Sequence, residues 1–355
     1  MSSNFGSKIK IQIFGQSHSE MVGVVLDGVP AGHFIDLNYI YAFLDRRRSG
    51  GSIYLTKRTE SDMPEIVSGI ADGRTCGVPL CALFRNEDAK ESDYKKLRFI
   101  PRPSHADYNA YVKYKGSNDI RGGGHFSGRL TLPLCFAGAV CKQLLEGKGI
   151  YISAHIGQIA DIHDTPYDPI NLGAGTIKCT GFPVNDSAIG EEMKKRMIAA
   201  AEVGDSLGGI IECAVMGLSQ GVGEPMFDGL ENIISQVIFA VPAVKGIEFG
   251  AGFSAAGMTG SEHNDAYFVE DGKIKLKTNN AGGILGGIST GMTLIFRVVV
   301  KPTPSIYTEQ SSVDIRSMQN VKLQIQGRHD SCIVPRAVPC IEAAAAIAII
   351  NLLEV

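Results

Sequence analysis

Glycine is spread through this chain at a density that limits how it can fold. Of 355 residues, 42 are glycine, and they follow neither the three-residue period of collagen nor a low-complexity repeat. Glycine has no β-carbon, so it serves where the backbone turns sharply or passes close to another group. The distribution therefore predicts many tight turns and several close backbone approaches.

Strand-like and helix-like segments follow one another irregularly. Runs rich in β-branched residues predict strands at residues 9–14, 22–26, 66–70, 210–216, 234–241 and 294–300. Apolar periodicity and alanine content predict helices at residues 132–146, 187–203 and 341–353, the last of them buried on most sides. No regular alternation of parallel units is visible, which favours an α+β fold or layered sandwich over a doubly wound sheet. Because no linker-like tract or repeat interrupts the chain, we expect one domain over residues 1–355.

Composition argues against several classes of protein. The formal net charge is −3, whereas proteins that bind nucleic acids or other polyanions are usually basic. Nucleic acid is therefore not an expected partner. No stretch of about 20 apolar residues lacks charges or helix breakers, so no membrane span is expected. The opening residues lack the pattern of a secretory signal, which predicts a cytoplasmic protein. The eight cysteines form no C-x-x-C pair, which indicates reduced thiols rather than disulfides or a zinc site.

Five segments carry more polar chemistry than a plain core requires. The first places His18 in a small-residue turn after a predicted strand, where it could exchange protons near neutral pH or simply be exposed. The second is the run Arg46-Arg47-Arg48, which could present guanidinium groups to phosphate or form an ordinary solvated basic face. Each of these two segments, taken alone, leaves both interpretations open.

The third segment is the most informative. Two prolines constrain the chain around Arg102 and His105, and the run Gly122-Gly123-Gly124 follows with backbone amides that could hold an anion. The glycine run nearly matches a dinucleotide-binding fingerprint, but the third glycine of that motif is missing. No buried strand precedes the run either, so we reject a Rossmann-type site.

The last two segments combine glycines with cations and hydroxyl groups. The fourth runs from residues 204–209 to 240–246 and could supply backbone contacts to a planar ring or serve only as turns. The fifth joins the loop 279–287 to Lys301, Thr303 and Ser305, a cation and two hydroxyls suited to phosphate. It ends at Arg328-His329-Asp330, which brings a cation, a proton carrier and a carboxylate together.

Taken in order, these segments resemble the signatures of the chorismate synthase family over nearly the whole chain. The family's histidine-containing opening, triple arginine, R-P-G-H-A-D-Y block, D-S-x-G-G turn and N-x-A-G-G-I-x-G-G loop all have counterparts here. So do its K-P-T block and its G-R-H-D-P-C-x-x-x-R-A-V-P ending, the latter at residues 327–339. Any one match could be accidental, but the ordered set is specific.

The resemblance implies a β-α-β sandwich, with helices between two antiparallel sheets, assembled as a homotetramer. It implies a lyase that converts 5-enolpyruvylshikimate 3-phosphate into chorismate and phosphate by 1,4-trans elimination, the last common step of aromatic amino acid biosynthesis in the shikimate pathway. Reduced FMN is required in this family although the reaction has no net redox change. Because the synthase core fills the chain, the implied source of reduced FMN is an external flavin reductase, and NADPH would act only as an indirect reductant.

The resemblance also assigns roles to individual residues. His18 matches the histidine that protonates the departing phosphate, His105 the one that keeps the reduced flavin correctly protonated, and Asp330 the carboxylate linked to proton removal. The matches to substrate-anion ligands are Arg48, Arg129 and Arg336. The matches to flavin-contacting positions are His125, Phe126, Ser127, Pro242, Ala243, Gly286, Lys301, Pro302, Thr303, Pro304, Ser305 and Arg328, and Arg47 lies in the stretch associated with NADP binding. No metal is implied.

Several positions depart from the family pattern. Gln16 replaces an acidic residue, His125 and Phe126 replace a more basic residue and a serine, and Pro242 replaces an asparagine. Ile53 stands where a second arginine often serves the nicotinamide cofactor, which argues against direct use of NADPH. Two other classes of protein are alternatives. A non-catalytic binding protein on the same scaffold would not need His18, His105 and Asp330, all of which are present, and a flavin oxidoreductase would need a nicotinamide fingerprint, which is not seen.

Overall fold

The structure is a computed structural model that describes residues 3–48, 60–87, 98–173, 181–325 and 330–353. In chain order, its strands are β1 (Asn4–Phe5), β2 (Lys10–Gly15), β3 (Met21–Asp27), β4 (Glu65–Ser68), β5 (Ile70–Ala71), β6 (Arg74–Thr75), β7 (Leu80–Arg85), β8 (Tyr151–Ile159), β9 (Ile162–His163), β10 (Gly209–Met216), β11 (Val244–Phe249), β12 (Tyr267–Glu270), β13 (Lys273–Leu276), β14 (Ile284–Leu285), β15 (Ile288–Ser289), β16 (Leu294–Val300), β17 (Gln310–Asp314) and β18 (Gln319–Leu323). Its α-helices are α1 (Leu37–Asp45), α2 (Asp107–Lys113), α3 (Thr131–Glu146), α4 (Ser187–Glu202), α5 (Leu230–Ile238), α6 (Gly260–His263) and α7 (Val334–Leu352).

Two five-stranded antiparallel sheets form the outer layers. The first has the strand order β1-β2-β3-β7-β4 and the second the order β11-β16-β10-β8-β9. Helix α3 packs on β2, β3 and β7, helix α7 packs on β8 and β10, and the two helices pack along each other. The helices therefore lie between two antiparallel sheets, and the predicted α+β sandwich is confirmed.

Helix α7 is the central apolar element of the sandwich. From Val334 to Asn351 every residue except Arg336 is buried. The helix begins earlier than residue 341, where it was predicted to begin, because Pro335 lies in its first turn, where a missing N–H costs no intrahelical hydrogen bond. Its length and composition would suit a membrane span, but it is enclosed by the rest of the fold, as expected of a core helix.

Most of the predicted strands and helices are confirmed, with one clear error. Strands β2, β3, β10 and β16 and helices α3 and α4 lie where they were predicted, and Gly69, with φ of +94°, divides the predicted strand at residues 66–70. The predicted strand at residues 234–241 is wrong, because this segment belongs largely to helix α5. Its β-branched residues suggested a strand, but Leu230, Ile234 and Ile238 recur at helical spacing and are buried together against α7.

The closest approach between the two central helices lies at Gly138 of α3 and Ala343 of α7. A β-carbon on Gly138 would overlap both the Cα and the Cβ of Ala343. Both residues are fully buried, so neither helix could relieve the overlap by moving into solvent. The spacing between the layers at this point therefore depends on a glycine at position 138.

Replacing Gly138 with alanine should lower the free energy of unfolding by about 1–3 kcal/mol, the usual cost of overpacking a core. Urea denaturation would measure the change. Gly147→Ala is the matched control, since a β-carbon there would lie 3.5 Å from the carbonyl oxygen of Leu144, an ordinary contact. An equal effect of the two substitutions would contradict the close-approach explanation.

A buried carboxylate joins four elements at the centre of the fold. Glu342 of α7 accepts hydrogen bonds from Lys142 of α3 at 2.8 Å, from Arg46 after α1 at 2.6 Å, and from the backbone amide of Ala154 in β8 at 3.1 Å. Burial alone would raise the pKa of Glu342, but the charges of Lys142 and Arg46 outweigh burial and hold it at about 2. The carboxylate is therefore ionised in the folded protein.

The stabilisation from Glu342 should depend on pH. Since the folded-state pKa lies below the ordinary value of 4.5, the stabilisation is complete above pH 4.5 and is lost as the pH falls toward 2. Glu342→Gln should lower the free energy of unfolding by about 3–5 kcal/mol at pH 7 and by clearly less at pH 3. The control Glu191→Gln removes an exposed partner of Lys194 and should change stability by less than about 0.5 kcal/mol. A loss at pH 3 as large as at pH 7 would contradict the assignment.

Candidate active site

His18 lies in the turn after β2 and its ring rests on a glycine run. The backbone amide of Ser17 donates to the carbonyl of Gly124 at 3.0 Å, which ties the turn to the run. Gly122 has φ of +59°, and a β-carbon there would lie 2.5 Å from Nδ1 of His18. Glycine is therefore required at position 122 both for its backbone conformation and for the space that the imidazole ring occupies.

His105 lies just before α2, and the buried ion pair between Arg102 and Asp107 holds its ring. Its Nδ1 lies 2.6 Å from Oδ1 of Asp107, and Asp107 also accepts hydrogen bonds from Nε and Nη2 of Arg102 at 2.8 and 2.9 Å. Burial alone would raise the pKa of Asp107, but the hydrogen bonds from Arg102 and His105 outweigh it and hold that pKa well below its ordinary range. An ionised Asp107 therefore orients the His105 ring.

The two predicted catalytic histidines meet at consecutive glycines. A β-carbon on Gly123 would lie 3.1 Å from Cε1 and 3.2 Å from Nε2 of His105, while the β-carbon position of Gly122 is occupied by the ring of His18. The rings of His18 and His105 therefore lie against adjacent residues of the glycine run. The shared site predicted for His18 and His105 stays a prediction, and these contacts place both rings beside the same glycine run.

The segment after β16 contacts Arg102 and Ser104, the neighbours of His105. Nζ of Lys301 donates to the carbonyl and hydroxyl oxygens of Ser104 at 2.5 and 2.9 Å, and Nη1 of Arg102 donates to the buried hydroxyl of Ser305 at 3.3 Å. The amide of Lys301 donates to the carbonyl of Ala243 at 3.0 Å. The predicted flavin-contacting residues 242–243 therefore lie beside Lys301. Four of the sequence segments therefore converge here.

Two properties of this segment suit an anionic ligand. The hydroxyl of Thr303 is buried and has no hydrogen-bond partner among the described residues, although the backbone carbonyl of Thr303 accepts from Ser206 at 2.7 Å. Burial and the nearby charge of Lys245 lower the pKa of Lys301. A phosphate at this position would satisfy the Thr303 hydroxyl and offset the repulsion between the two lysines.

A second cluster forms around Asp62, which bridges two predicted ligand residues. Its Oδ2 pairs with Nη2 of Arg47 at 2.7 Å, and its Oδ1 pairs with Nη1 of Arg129. Burial alone would raise the pKa of Asp62, but the charges and hydrogen bonds of Arg47 and Arg129 outweigh it and lower the pKa. A second buried carboxylate, that of Glu60, lies 4.0 Å from Nη2 of Arg129, so two carboxylates orient the two guanidinium groups.

Arg336 extends this cluster to Asp330, the third predicted catalytic residue. Nη1 of Arg336 pairs with Oδ2 of Asp330 at 2.7 Å, and its Nε donates to the backbone carbonyl of Arg47 at 2.8 Å. Arg129, Arg336 and Asp330 are therefore linked through Arg47. The sequence relates Arg129 to Asp330 and Arg336 only through the family resemblance, since Arg129 lies far from the other two along the chain.

The three consecutive arginines do not form one basic face. Arg46 pairs with Glu342 in the core, Arg47 is 4% exposed and pairs with Asp62, and Arg48 contacts Asp45 and the carbonyl of Glu60. Only Arg47 and Arg48 lie toward the Asp62 cluster. The first arginine stabilises the fold, a division that the run itself does not reveal.

Asn86, which no motif singled out, joins the two clusters. Its Oδ1 accepts from Nε of Arg129 at 2.8 Å, and its Nδ2 donates to the carbonyls of Ser19 and Gln16 at 2.7 and 3.2 Å. The turn of His18 is thereby connected to the arginine cluster. A continuous series of contacts then runs from Lys301 through both histidines to Asp330. The signal that could have found Asn86 is a short polar run directly after the apolar strand β7.

The 125–127 motif has mainly local partners. Both ring nitrogens of His125 are engaged, Nδ1 with the carbonyl of Gly15 and Nε2 with the hydroxyl of Ser3, each at 2.8 Å. The Ser127 hydroxyl accepts from the amide of Arg129 at 3.2 Å and so caps the short 3₁₀ helix that carries this arginine. Phe126 is 40% exposed beside the ring of Tyr114.

The remaining predicted positions are placed as follows. Gly286 lies in the turn of the β14–β15 hairpin with φ of +62° and open space where a β-carbon would be, and the hydrogen bonds among the described residues do not connect it to either histidine. Pro242 precedes Ala243, and Pro302 and Pro304 flank Thr303. Arg328, as well as Ile53 and Cys179, lies outside the described residues.

The chain is similar to known proteins over nearly its full length. A family model described as chorismate synthase matches residues 9–353. A chorismate synthase of Lancefieldella parvula is 44% identical over 367 residues, covering 99% of this chain and 96% of its own, and one of Korarchaeum cryptofilum is 44% identical over 359 residues, covering 97% and 95%. A crystal structure of a chorismate synthase matches with a TM-score of 0.74 and 25% identity, covering 98% of this chain and 92% of its own.

The sandwich fold and a site that gathers histidines, arginines and carboxylates indicate an enzyme that acts on a small molecule. The chain belongs to the chorismate synthase family, and it is therefore a lyase. The resemblance found from the ordered motifs is confirmed.

Gly122→Ala should lower turnover by about 100-fold, because displacing a reacting group by about 1 Å has an effect of that size. The new methyl group would occupy the space of the His18 ring. Steady-state kinetics would measure the loss. Gly149→Ala is the matched control, since Gly149 has φ of +79° but nothing within 4 Å of the β-carbon position. If both variants lost turnover equally, backbone strain rather than displacement of His18 would be the cause.

Proposed function

We propose that this protein converts 5-enolpyruvylshikimate 3-phosphate into chorismate and phosphate at the site formed by His18, His105 and the Asp62 cluster. The observation that carries the proposal is the contact of both histidine rings with Gly122 and Gly123, joined through Asn86 to buried arginines. In the elimination, the bond between the ring and the phosphate oxygen breaks, a ring proton leaves, and a second ring double bond forms. No electrons are gained or lost overall.

The arginines suit a substrate that carries one phosphate and two carboxylates. Arg48, Arg129 and Arg336 bind these anions in the proposed complex, and each charge-assisted hydrogen bond contributes roughly 1.5–3 kcal/mol. Asp62, Glu60 and Asp330 pair with the arginines and keep the guanidinium groups oriented. Because the positions are set before the substrate binds, little reorganisation is needed as charge develops on the departing phosphate.

The histidines hold protons at two places. His18, whose turn is linked to Arg129 through Asn86, protonates the departing phosphate as a general acid. His105, oriented by Asp107, holds a proton at the cofactor side of the glycine run. Asp330 takes part in removal of the ring proton.

The residues of the third and fifth segments fit reduced FMN. The buried Thr303 hydroxyl without a partner, the Lys301 ammonium and the Ser305 hydroxyl form a donor set for the phosphate of the cofactor. Ala243, Gly286 and the 125–127 backbone are the proposed contacts of the remaining cofactor. When bound, reduced FMN supplies electron density that assists departure of the phosphate.

We further infer a cytoplasmic homotetramer supplied with reduced FMN by a separate flavin reductase. Arg47, in the stretch associated with NADP binding, is buried and paired with Asp62, which supports NADPH as an indirect reductant only. Catalytic oxidation of NADPH by the purified protein with FMN would contradict this part of the proposal.

Replacing His18 or His105 with alanine should lower turnover by about 100- to 10,000-fold, the usual effect of losing a general acid or base. An anaerobic assay with photoreduced FMN would measure the release of chorismate and phosphate. His33→Ala is the control, because His33 is an exposed histidine on a loop. Full activity in the His18 or His105 variant would remove that assignment. Wild-type protein that binds the substrate without releasing phosphate would instead be a non-catalytic binding protein.

A further inference from the structure

Asn86 follows directly after β7 and faces the turn that carries His18. The turn is closed internally by the amide of Ser19, which donates to the carbonyl of Gln16 at 3.2 Å. Asn86 adds two hydrogen bonds from its side-chain amide to the carbonyls of these same two residues, and its backbone amide donates to the carbonyl of Glu20 at 3.0 Å. The two carbonyls that Asn86 holds bracket His18 on both sides.

The other end of the same side chain contacts an arginine. Oδ1 of Asn86 accepts from Nε of Arg129 at 2.8 Å, while the two terminal nitrogens of Arg129 are engaged by Asp62 and by the carbonyl of Arg85. A carboxamide offers one acceptor and two donors from a rigid planar group. Asn86 therefore relates the position of the His18 turn to the position of the Arg129 guanidinium through a single side chain.

We propose that Asn86 is a positioning residue that sets the distance between the proton donor His18 and the phosphate held by Arg129. The proposal rests on the function proposed above. Both termini of the link are required: the acceptor orients Arg129, and the two donors hold the turn. Asparagine meets this requirement, whereas aspartate keeps the acceptor but places a carboxylate against two carbonyl oxygens.

The test is a double-mutant cycle in the anaerobic assay. Asn86→Ala should lower kcat by about 10- to 100-fold, the effect of a misplaced reacting group, and change KM by less than about threefold, because Arg129 keeps Asp62 and the Arg85 carbonyl. In a His18→Ala background the same substitution should lower kcat by less than about twofold, since the group that it positions is already absent.

Asn86→Asp separates the two ends of the link. It keeps an acceptor for Arg129 and loses both donors to the turn, so its kcat should fall as far as that of Asn86→Ala. Wild-type kcat in this variant would overturn the proposal, and so would an equal effect of Asn86→Ala with and without His18. Thermal melting of both variants identifies any loss that comes from unfolding.

Asn351→Ala is the matched structural control. The Asn351 side chain also links distant backbone groups, accepting from the amides of Ser7, Lys8 and Ile9, but it lies in the last turn of α7, outside the proposed site. It should lower the melting temperature and leave kcat independent of the His18 background. If His18→Ala itself keeps full activity, the proposed function of His18 fails, whereas a large His18 effect with additive Asn86 effects refutes only the positioning role.

Discussion

The fold and the site both depend on the ion pairs and hydrogen bonds of the buried Glu342 carboxylate. It binds Lys142 of α3, Arg46 after α1 and the backbone of β8, so it sets the relative positions of both central helices and one outer sheet. Removing a charge from water is costly, and only complete pairing offsets that cost. Because Arg46 and Arg47 are consecutive, the residue that anchors the core also directs its neighbour into the Asp62 cluster.

The site forms where several segments of the chain pass close to one another, and no single motif contains it. Gly122 and Gly123 let two imidazole rings approach the backbone closely, and the surrounding carboxylates orient the arginines. Asp107 contacts the His105 ring directly, whereas Asn86 contacts the turn that carries His18. These contacts restrict how far the two histidines can move independently of each other.

Local pattern predicted much of the fold, because the continuous apolar runs of α3, β10 and β16 and the apolar periodicity of α4 reflect burial directly. It failed at residues 234–241, where β-branched residues occur at helical spacing. The candidate histidines and arginines could be identified from ordered motifs, but their partners could not, since Asp62 and Asn86 contact them only after distant segments pack together. The different destinations of Arg46, Arg47 and Arg48 likewise depend on which neighbours the helices bring near.

The position of α7 in the chain has a consequence for how the molecule is made. A ribosome completes both sheets and α3 before it reaches residues 334–352, yet that segment fills the space between the layers. Until it emerges, the apolar face of the second sheet and one side of α3 have no partner, and contacts across nearly the full chain length are missing. Folding during synthesis therefore cannot proceed to a finished N-terminal part, and the nascent chain must remain protected from aggregation until its last core helix is available.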